Sequence, residues 1–245
     1  MPMVNPVATI IFPPTDAKFK QGVPVIVKGN VSGIKCGTVK IYIDVEDVNH
    51  LKGETSINSD GTFKFGLWNT SGTSRGPHTI IAVPYCPNGT RGTPGTKQII
   101  IFRMIRPLAN YTVTGEFGDP RPGGRRHQGI DLAAPAGTNI AVAEDGTVRE
   151  RYMSTRGGYT VVIDHGVVYV GLNNPDTTDY YCPRVVTRYL HCIDNSCPFE
   201  EGTRVNQGDR IANVDCTGRS TSCNHLHFEV REDEVAVNPR SYVSF

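Results

Sequence analysis

The chain has 245 residues, 38% of them hydrophobic, with 26 Gly and 17 Pro, a composition that excludes a disordered or collagen-like chain. No apolar run approaches the roughly 18 residues that span a bilayer, so the chain does not read as an integral membrane protein. The formal charge of +1 argues against a dedicated nucleic-acid binder. In chain order, the first residues, MPMVNPVATIIFPP, place no basic residue ahead of a short apolar stretch that prolines interrupt. They do not read as a signal peptide.

From Ala8 to Met104 the texture is that of short strands: ATIIF (8–12), VPVIVKGNV (23–31), TVKIYIDV (38–45), TFKFGLW (62–68), HTIIAVPYC (78–86) and KQIIIFRM (97–104). β-Branched residues dominate, and several segments alternate by twos, the mark of a half-buried strand. In TVKIYIDV this alternation predicts that Val39, Ile41, Ile43 and Val45 share one face. Turn signals such as Ser59-Asp60-Gly61 and Pro87-Asn88-Gly89 separate the strands. About six strands in roughly 100 residues predict an antiparallel β-sandwich over residues 1–107. The run NSDGTFKFGLWNTSGTSRGPHTIIAVPYC resembles bacterial immunoglobulin-like modules. In a sandwich of this order the loops holding Cys36 and Cys86 lie at one end, which makes a bridge between them geometrically plausible. Nothing here reads as catalytic: His50 and His78 are isolated, a surface and a strand histidine.

The near-neutral total hides a split. Residues 1–107 carry 12 Lys and Arg against 6 Asp and Glu, whereas residues 108–245 carry 13 against 18. Every lysine lies between Lys18 and Lys97. Such asymmetry predicts two domains with different jobs. The basic surplus of the first reads as a solvated face, with an anionic-polymer site as the alternative.

Chemistry gathers in residues 108–245. His127 and Asp131, in RRHQGIDLAAP, are four apart with Gly129 between them, a spacing that brings an imidazole and a carboxylate to one centre. In HLHFEV (225–230), Leu226, Phe228 and Val230 face a core while His225, His227 and Glu229 face the other way. Only one of the two histidines needs to bind a metal; the other then stands beside its open position. In VVTRYLH (185–191), alternation puts Thr187, Tyr189 and His191 on a common face. Two His and one Asp meet the three-ligand count of a catalytic zinc site and leave two His for acid–base work. No H-E-x-x-H is present.

The order HQGIDLAAPAGTNIAVAEDGTV, TVVIDHG, VTRYLH, VNQGDRIANV and HLHFEV resembles the lysostaphin-type zinc metallopeptidases, LytM-like endopeptidases included, over about residues 113–240. The resemblance implies an all-β chain: an immunoglobulin-like sandwich followed by a compact antiparallel sheet with a groove. It implies zinc held by His127, Asp131 and His227, with His191 and His225 as catalytic histidines and His165 structural. It implies an extracytoplasmic endopeptidase acting on peptidoglycan stem peptides or cross-bridges, with the first domain as a wall-binding or positioning module. Glu229 would orient a ring or stand as a plain surface carboxylate, and Tyr189 would lie at the groove. Two departures stand out: RSTSCN (219–224) is one residue longer than usual, with Asn224 where Pro is common, and residues 171–184 look like an insertion. The rival readings are a secreted peptidase acting on proteins, a catalytically silent wall-binding activator, and a component of a phage or secretion device.

Seven cysteines point to disulfides and an oxidising compartment. Those of the second domain lack the C-x-x-C pairs of a structural zinc site. Spacing alone suggests Cys192–Cys197 and Cys216–Cys223, leaving Cys182 over, with Cys182–Cys192 as the alternative.

Overall fold

A computed structural model of the protein describes residues 5–33, 37–218 and 224–245. Among them, nearly all regular structure is β-strand, and the one helical piece is a 3-10 turn at Pro239–Ser241. No described helix is long and apolar enough to cross a membrane. The chain divides into two compact units, residues 1–102 with 168–182, and residues 103–167 with 183–245.

The first unit is a sandwich. One sheet runs in the order Val7–Phe12, Val25–Ser32, Thr62–Trp68; the other runs Ala17–Lys20, Gly95–Phe102, Gly76–Tyr85, Thr38–Ile43, Leu51–Ser56. Alternate residues of both sheets, among them Ile10, Val27 and Phe63 from one and Ile41, Ile80 and Ile99 from the other, fill a common core. All six expected strands are present. Two further strands were not foreseen, Ala17–Lys20 and Leu51–Ser56, and they are the two edges of the five-stranded sheet. Edge strands are short and carry lysines because one side needs no partner, so their apolar signal is weak. The first pairs with Gly95–Phe102 in parallel, an exception to the expected antiparallel pattern.

The expected face of TVKIYIDV holds through Val39, Ile41 and Ile43, all buried, and fails at Val45, which is 49% exposed. Asp44 adopts φ +67° and ends the strand. Its carboxylate accepts the Thr79 N–H at 2.8 Å and faces His78 Nδ1 at 2.7 Å. His50 likewise faces Asp47, at 2.7 Å.

Residues 168–182, most of the segment that reads as an insertion, complete this first core. They form a hairpin of Gly171–Asn174 and Asp179–Tyr181. Tyr169 stacks on Phe19 with ring centroids 4.6 Å apart, and Tyr180 stacks on Phe12 at 5.6 Å. The Tyr180 hydroxyl accepts the Ile26 N–H at 3.0 Å and donates to Pro24 O at 2.9 Å.

The second unit is built on an eight-stranded sheet in the order Arg204–Val205, Gly146–Ser154, Gly158–Val167, Arg184–Cys192, His225–Glu232, Ile130–Ala133, Thr112–Gly115, with Val235–Val237 also pairing to His225–Glu232. Ile130, Leu132, Leu226, Phe228 and Val230 are fully buried, which fixes the opposite face of their two strands for chemistry. Two-stranded ribbons, Pro120–Arg121 with Arg125–Arg126 and Asn139–Ala141 with Arg210–Asn213, flank the sheet.

The cysteines correct the expectation. Cys192 and Cys197 are buried free thiols and Cys182 is an exposed one, so neither Cys192–Cys197 nor Cys182–Cys192 is formed. Each buried thiol points instead at a backbone carbonyl, Cys192 at Tyr189 O (3.4 Å) and Cys197 at Phe199 O (3.5 Å). Burial pushes both thiols up, which keeps them neutral and unreactive. Cys86 and Cys216 are disulfide-bonded. Their expected partners, Cys36 and Cys223, lie outside the described residues, as does most of the RSTSCN segment.

Candidate metal centre

Antiparallel pairing sets Asp131 directly opposite His227 on neighbouring strands. Gly129 lets the chain pass closely enough for His127 to join them, since a Cβ there would lie 2.3 Å from Phe228 O and 2.9 Å from His227 Nε2. Three donor atoms then meet. His127 Nε2 is 3.0 Å from Asp131 Oδ1, His227 Nδ1 is 2.8 Å from the same oxygen, and the two nitrogens are 2.9 Å apart.

The outer nitrogens of both rings are already committed. His127 Nδ1 donates to Glu116 O at 2.7 Å, and His227 Nε2 donates to Glu229 Oε1 at 3.1 Å. Those bonds turn the lone pairs of His127 Nε2 and His227 Nδ1 towards each other and towards a carboxylate oxygen. Three electron-rich atoms aimed at one point repel unless a positive charge lies among them, so the donor set fits a cation. Nitrogen, nitrogen and oxygen donors in this number suit zinc.

The same logic appears in the protonation of the protein alone. Burial disfavours the charged ring of His227, yet hydrogen bonds to Asp131 and Glu229 outweigh it and push His227 up to about 9. Burial works against ionised Asp131, but the bonds from His127 and His227 hold its carboxyl well below the usual range. Glu229, also buried, is held down by His227 and by Arg231, whose Nη1 donates to Oε2 at 2.9 Å.

His225 sits beside the triangle, its Nε2 3.7 Å from Asp131 Oδ1. Its ring lies 4.8 Å from that of His191, centroid to centroid. His191 reaches this place by a route that alternation misses. Tyr189 pairs with Phe228 and Leu190 with His227, so strand periodicity would turn His191 into the core with Tyr189. Instead His191 adopts φ +62°, a left-handed conformation that throws its ring to the other face. The strained residue is pinned at three atoms: its N–H donates to Gly157 O (2.9 Å), its carbonyl accepts from Asp215 N–H (3.0 Å), and Nδ1 donates to Thr217 O (2.8 Å). Its Nε2 is left facing the site.

Tyr189 therefore does not line the groove. It is fully buried against Phe228, and its hydroxyl accepts the Ala143 N–H at 2.8 Å. His165 is also buried, with Nδ1 on Asp145 O and Nε2 on Thr187 Oγ1. Sequence reasoning did not single out Arg121, which donates to Asp131 Oδ2 at 2.7 Å. It ends the two-residue ribbon strand Pro120–Arg121, too short for any periodicity to mark it.

Burial pushes His191 down to about 4, against 6.5 ordinarily. Between those values the unfolded chain binds a proton that the folded chain does not, so stability rises with pH across this window. The contribution is complete above about pH 6.5 and fades as pH falls towards 4, on the order of 3 kcal/mol in all. Urea unfolding of the metal-free chain at pH 7 and pH 4.5 is expected to show a smaller acid loss in His191→Asn than in the unaltered chain. Equal losses would sink the assignment.

The sequence model of peptidase family M23 matches residues 125–175 and 180–239. The chain carries a peptidase family M23 domain. All three residues of the candidate metal centre and both neighbouring histidines fall inside the matched M23 stretches, and the short break at 176–179 falls in the hairpin that belongs to the first unit. The chain is 31% identical over 137 residues to peptidoglycan DD-endopeptidase ShyC of Vibrio cholerae serotype O1, a match covering 56% of this chain and 26% of that protein. It is 35% identical over 119 residues to DD-carboxypeptidase/endopeptidase Mpg of Neisseria meningitidis serogroup B, covering 48% and 23%. The match spans about a quarter of the length of these relatives. Among solved structures, the catalytic domain of lysostaphin from Staphylococcus simulans is similar at a TM-score of 0.41 and 23% identity, over 53% of this chain and 90% of that one.

Proposed function

We propose that the chain is a zinc-dependent endopeptidase that hydrolyses peptide bonds in peptidoglycan stem peptides or cross-bridges. The observation that carries this reading is the convergence of His127 Nε2, Asp131 Oδ1 and His227 Nδ1 beside two further buried histidines. When bound there, zinc supplies the Lewis acidity that activates water and polarises the scissile carbonyl.

The chain's own groups divide the remaining work. His191 is an uncharged base at neutral pH, because its ring is pushed down to about 4. With Nδ1–H held by Thr217 O, it presents Nε2 to take a proton from the attacking water. His225, next to it, stabilises the developing oxyanion or returns a proton to the leaving amine. Glu229 and Arg231 hold the His227 ring in place from behind. These histidines do the work that the glutamate of an H-E-x-x-H helix does elsewhere.

Peptidoglycan as substrate is supported by the activities of the relatives ShyC and Mpg, which belong to those proteins. With that substrate the chain would work outside the cytoplasm, a location that the disulfide-bonded Cys86 and Cys216 support. We read the bridges as Cys36–Cys86 and Cys216–Cys223, and the immunoglobulin-like sandwich of residues 1–107 as a wall-binding or positioning module. The purified protein is expected to hold about one zinc per chain and to release muropeptides from purified walls, with release stopped by a chelator and restored by zinc. Mass spectrometry of the products names the bond. Chelator-sensitive digestion of a protein substrate with intact walls would replace this reading by that of a secreted peptidase.

A further inference from the structure

We propose that Arg121 is a positioning residue for the metal-binding carboxylate: it ties down the outer oxygen of Asp131 so that only the inner one turns to the metal. The inference rests on the metal-centre reading above. Asp131 divides its two oxygens cleanly. Oδ1 faces the two ligand nitrogens at 2.8 and 3.0 Å, whereas Oδ2 accepts from Arg121 Nη2 at 2.7 Å. The carboxylate is nearly buried, while the Arg121 side chain is 37% exposed, so the guanidinium stands at the mouth of the site with its head in the carboxylate.

A second, independent observation points to the same pair. Gly115 lies directly opposite Asp131 on the next strand. A Cβ on Gly115 would fall 2.6 Å from Asp131 Oδ2 and 2.9 Å from Arg121 Nη2. Gly115 does not adopt a positive φ, so its backbone does not require glycine. The space does. The missing side chain is the notch in which the ion pair sits.

The consequence is chemical. A free carboxylate can offer a metal both oxygens, filling a position that water or substrate needs. A carboxylate hydrogen-bonded at Oδ2 offers one, and part of its charge is drawn off by the guanidinium. A metal held by this carboxylate would keep a position for water or substrate and more of its own charge, although one of its ligands is an anion.

The test is made on the full chain, loaded with zinc for affinity and with cobalt(II) for its visible spectrum, in the unaltered protein and in Arg121→Gln, Arg121→Lys and Gly115→Ala. Far-UV circular dichroism of the metal-free forms checks that each variant is folded. In Arg121→Gln, zinc affinity measured by chelator competition is expected to fall about 10- to 100-fold. The cobalt bands are expected to weaken as the released oxygen raises the coordination number. Arg121→Lys restores part of both, and Gly115→Ala reproduces the defect with Arg121 still present. Zinc binding in Arg121→Gln that is unchanged or tighter, with a superimposable cobalt spectrum, overturns the role of Arg121 alone. Failure of the unaltered chain to bind either metal overturns the metal-centre reading, and this inference with it.

Discussion

Replacing His227 by Ala is expected to abolish zinc binding and peptidase activity together, and to destabilise the metal-free protein as well. The first effect follows from the count, since two ligands remain where three are needed. The second follows from what His227 separates. Its Nδ1 is 2.8 Å from Asp131 and its Nε2 3.1 Å from Glu229, two carboxylates that are both nearly buried. Removing one partner of a buried ion pair leaves an uncompensated charge and typically costs about 3–5 kcal/mol. Arg121 and Arg231 still reach the outer oxygens of the two acids, which places the loss towards the lower end. Urea unfolding of the metal-free protein reads the stability term, and metal analysis with wall digestion reads the other. His225→Ala is the contrast, expected to keep zinc while losing about 10²- to 10⁴-fold in rate, the usual worth of a positioned acid or base. Retention of zinc by His227→Ala would remove it from the ligand set.

Tyr180→Ala is expected to cost about 3–5 kcal/mol, a core aromatic truncation, although the residue sits in what reads as a surface insertion of the peptidase domain. Its ring is buried against Phe12 and Phe19, and its hydroxyl serves two backbone groups of the Pro24–Ile26 stretch. Its neighbour Tyr181 is 44% exposed, and Tyr181→Ala is expected to stay within about 0.5 kcal/mol. Equilibrium unfolding of the two variants side by side decides the matter. Similar small losses would mean that residues 168–182 are not part of the first core. A chain cut to residues 103–245 carries the same segment without the strands it packs on, and is expected to express as aggregated or protease-sensitive material.

Much of the candidate centre was legible because regular strands expose their facing in the sequence. In HLHFEV the apolar residues at every second position committed Leu226, Phe228 and Val230 to the core, and so left His225, His227 and Glu229 on one surface. The H-x-x-x-D spacing was readable for a similar reason, being short enough for local geometry to bring both groups together. Where the backbone leaves the regular strand, the reading failed. Asp44, at φ +67°, put Val45 outside, and His191, at φ +62°, separated its ring from that of Tyr189. Neither conformation has a signature in a period-two pattern.

The sequence by itself determined the all-β class, the strands of the first sandwich except its polar edges, and the residue types that converge on the metal centre. These follow from local alternation and spacing, which act over a few residues. Only the tertiary structure decided which core owns residues 168–182, that Cys192 and Cys197 stay as thiols, and that Arg121 and Gly115 belong to Asp131. The first depends on strands far apart in the chain, and the others on which groups strand pairing and burial bring within a few ångströms; local alternation sets neither.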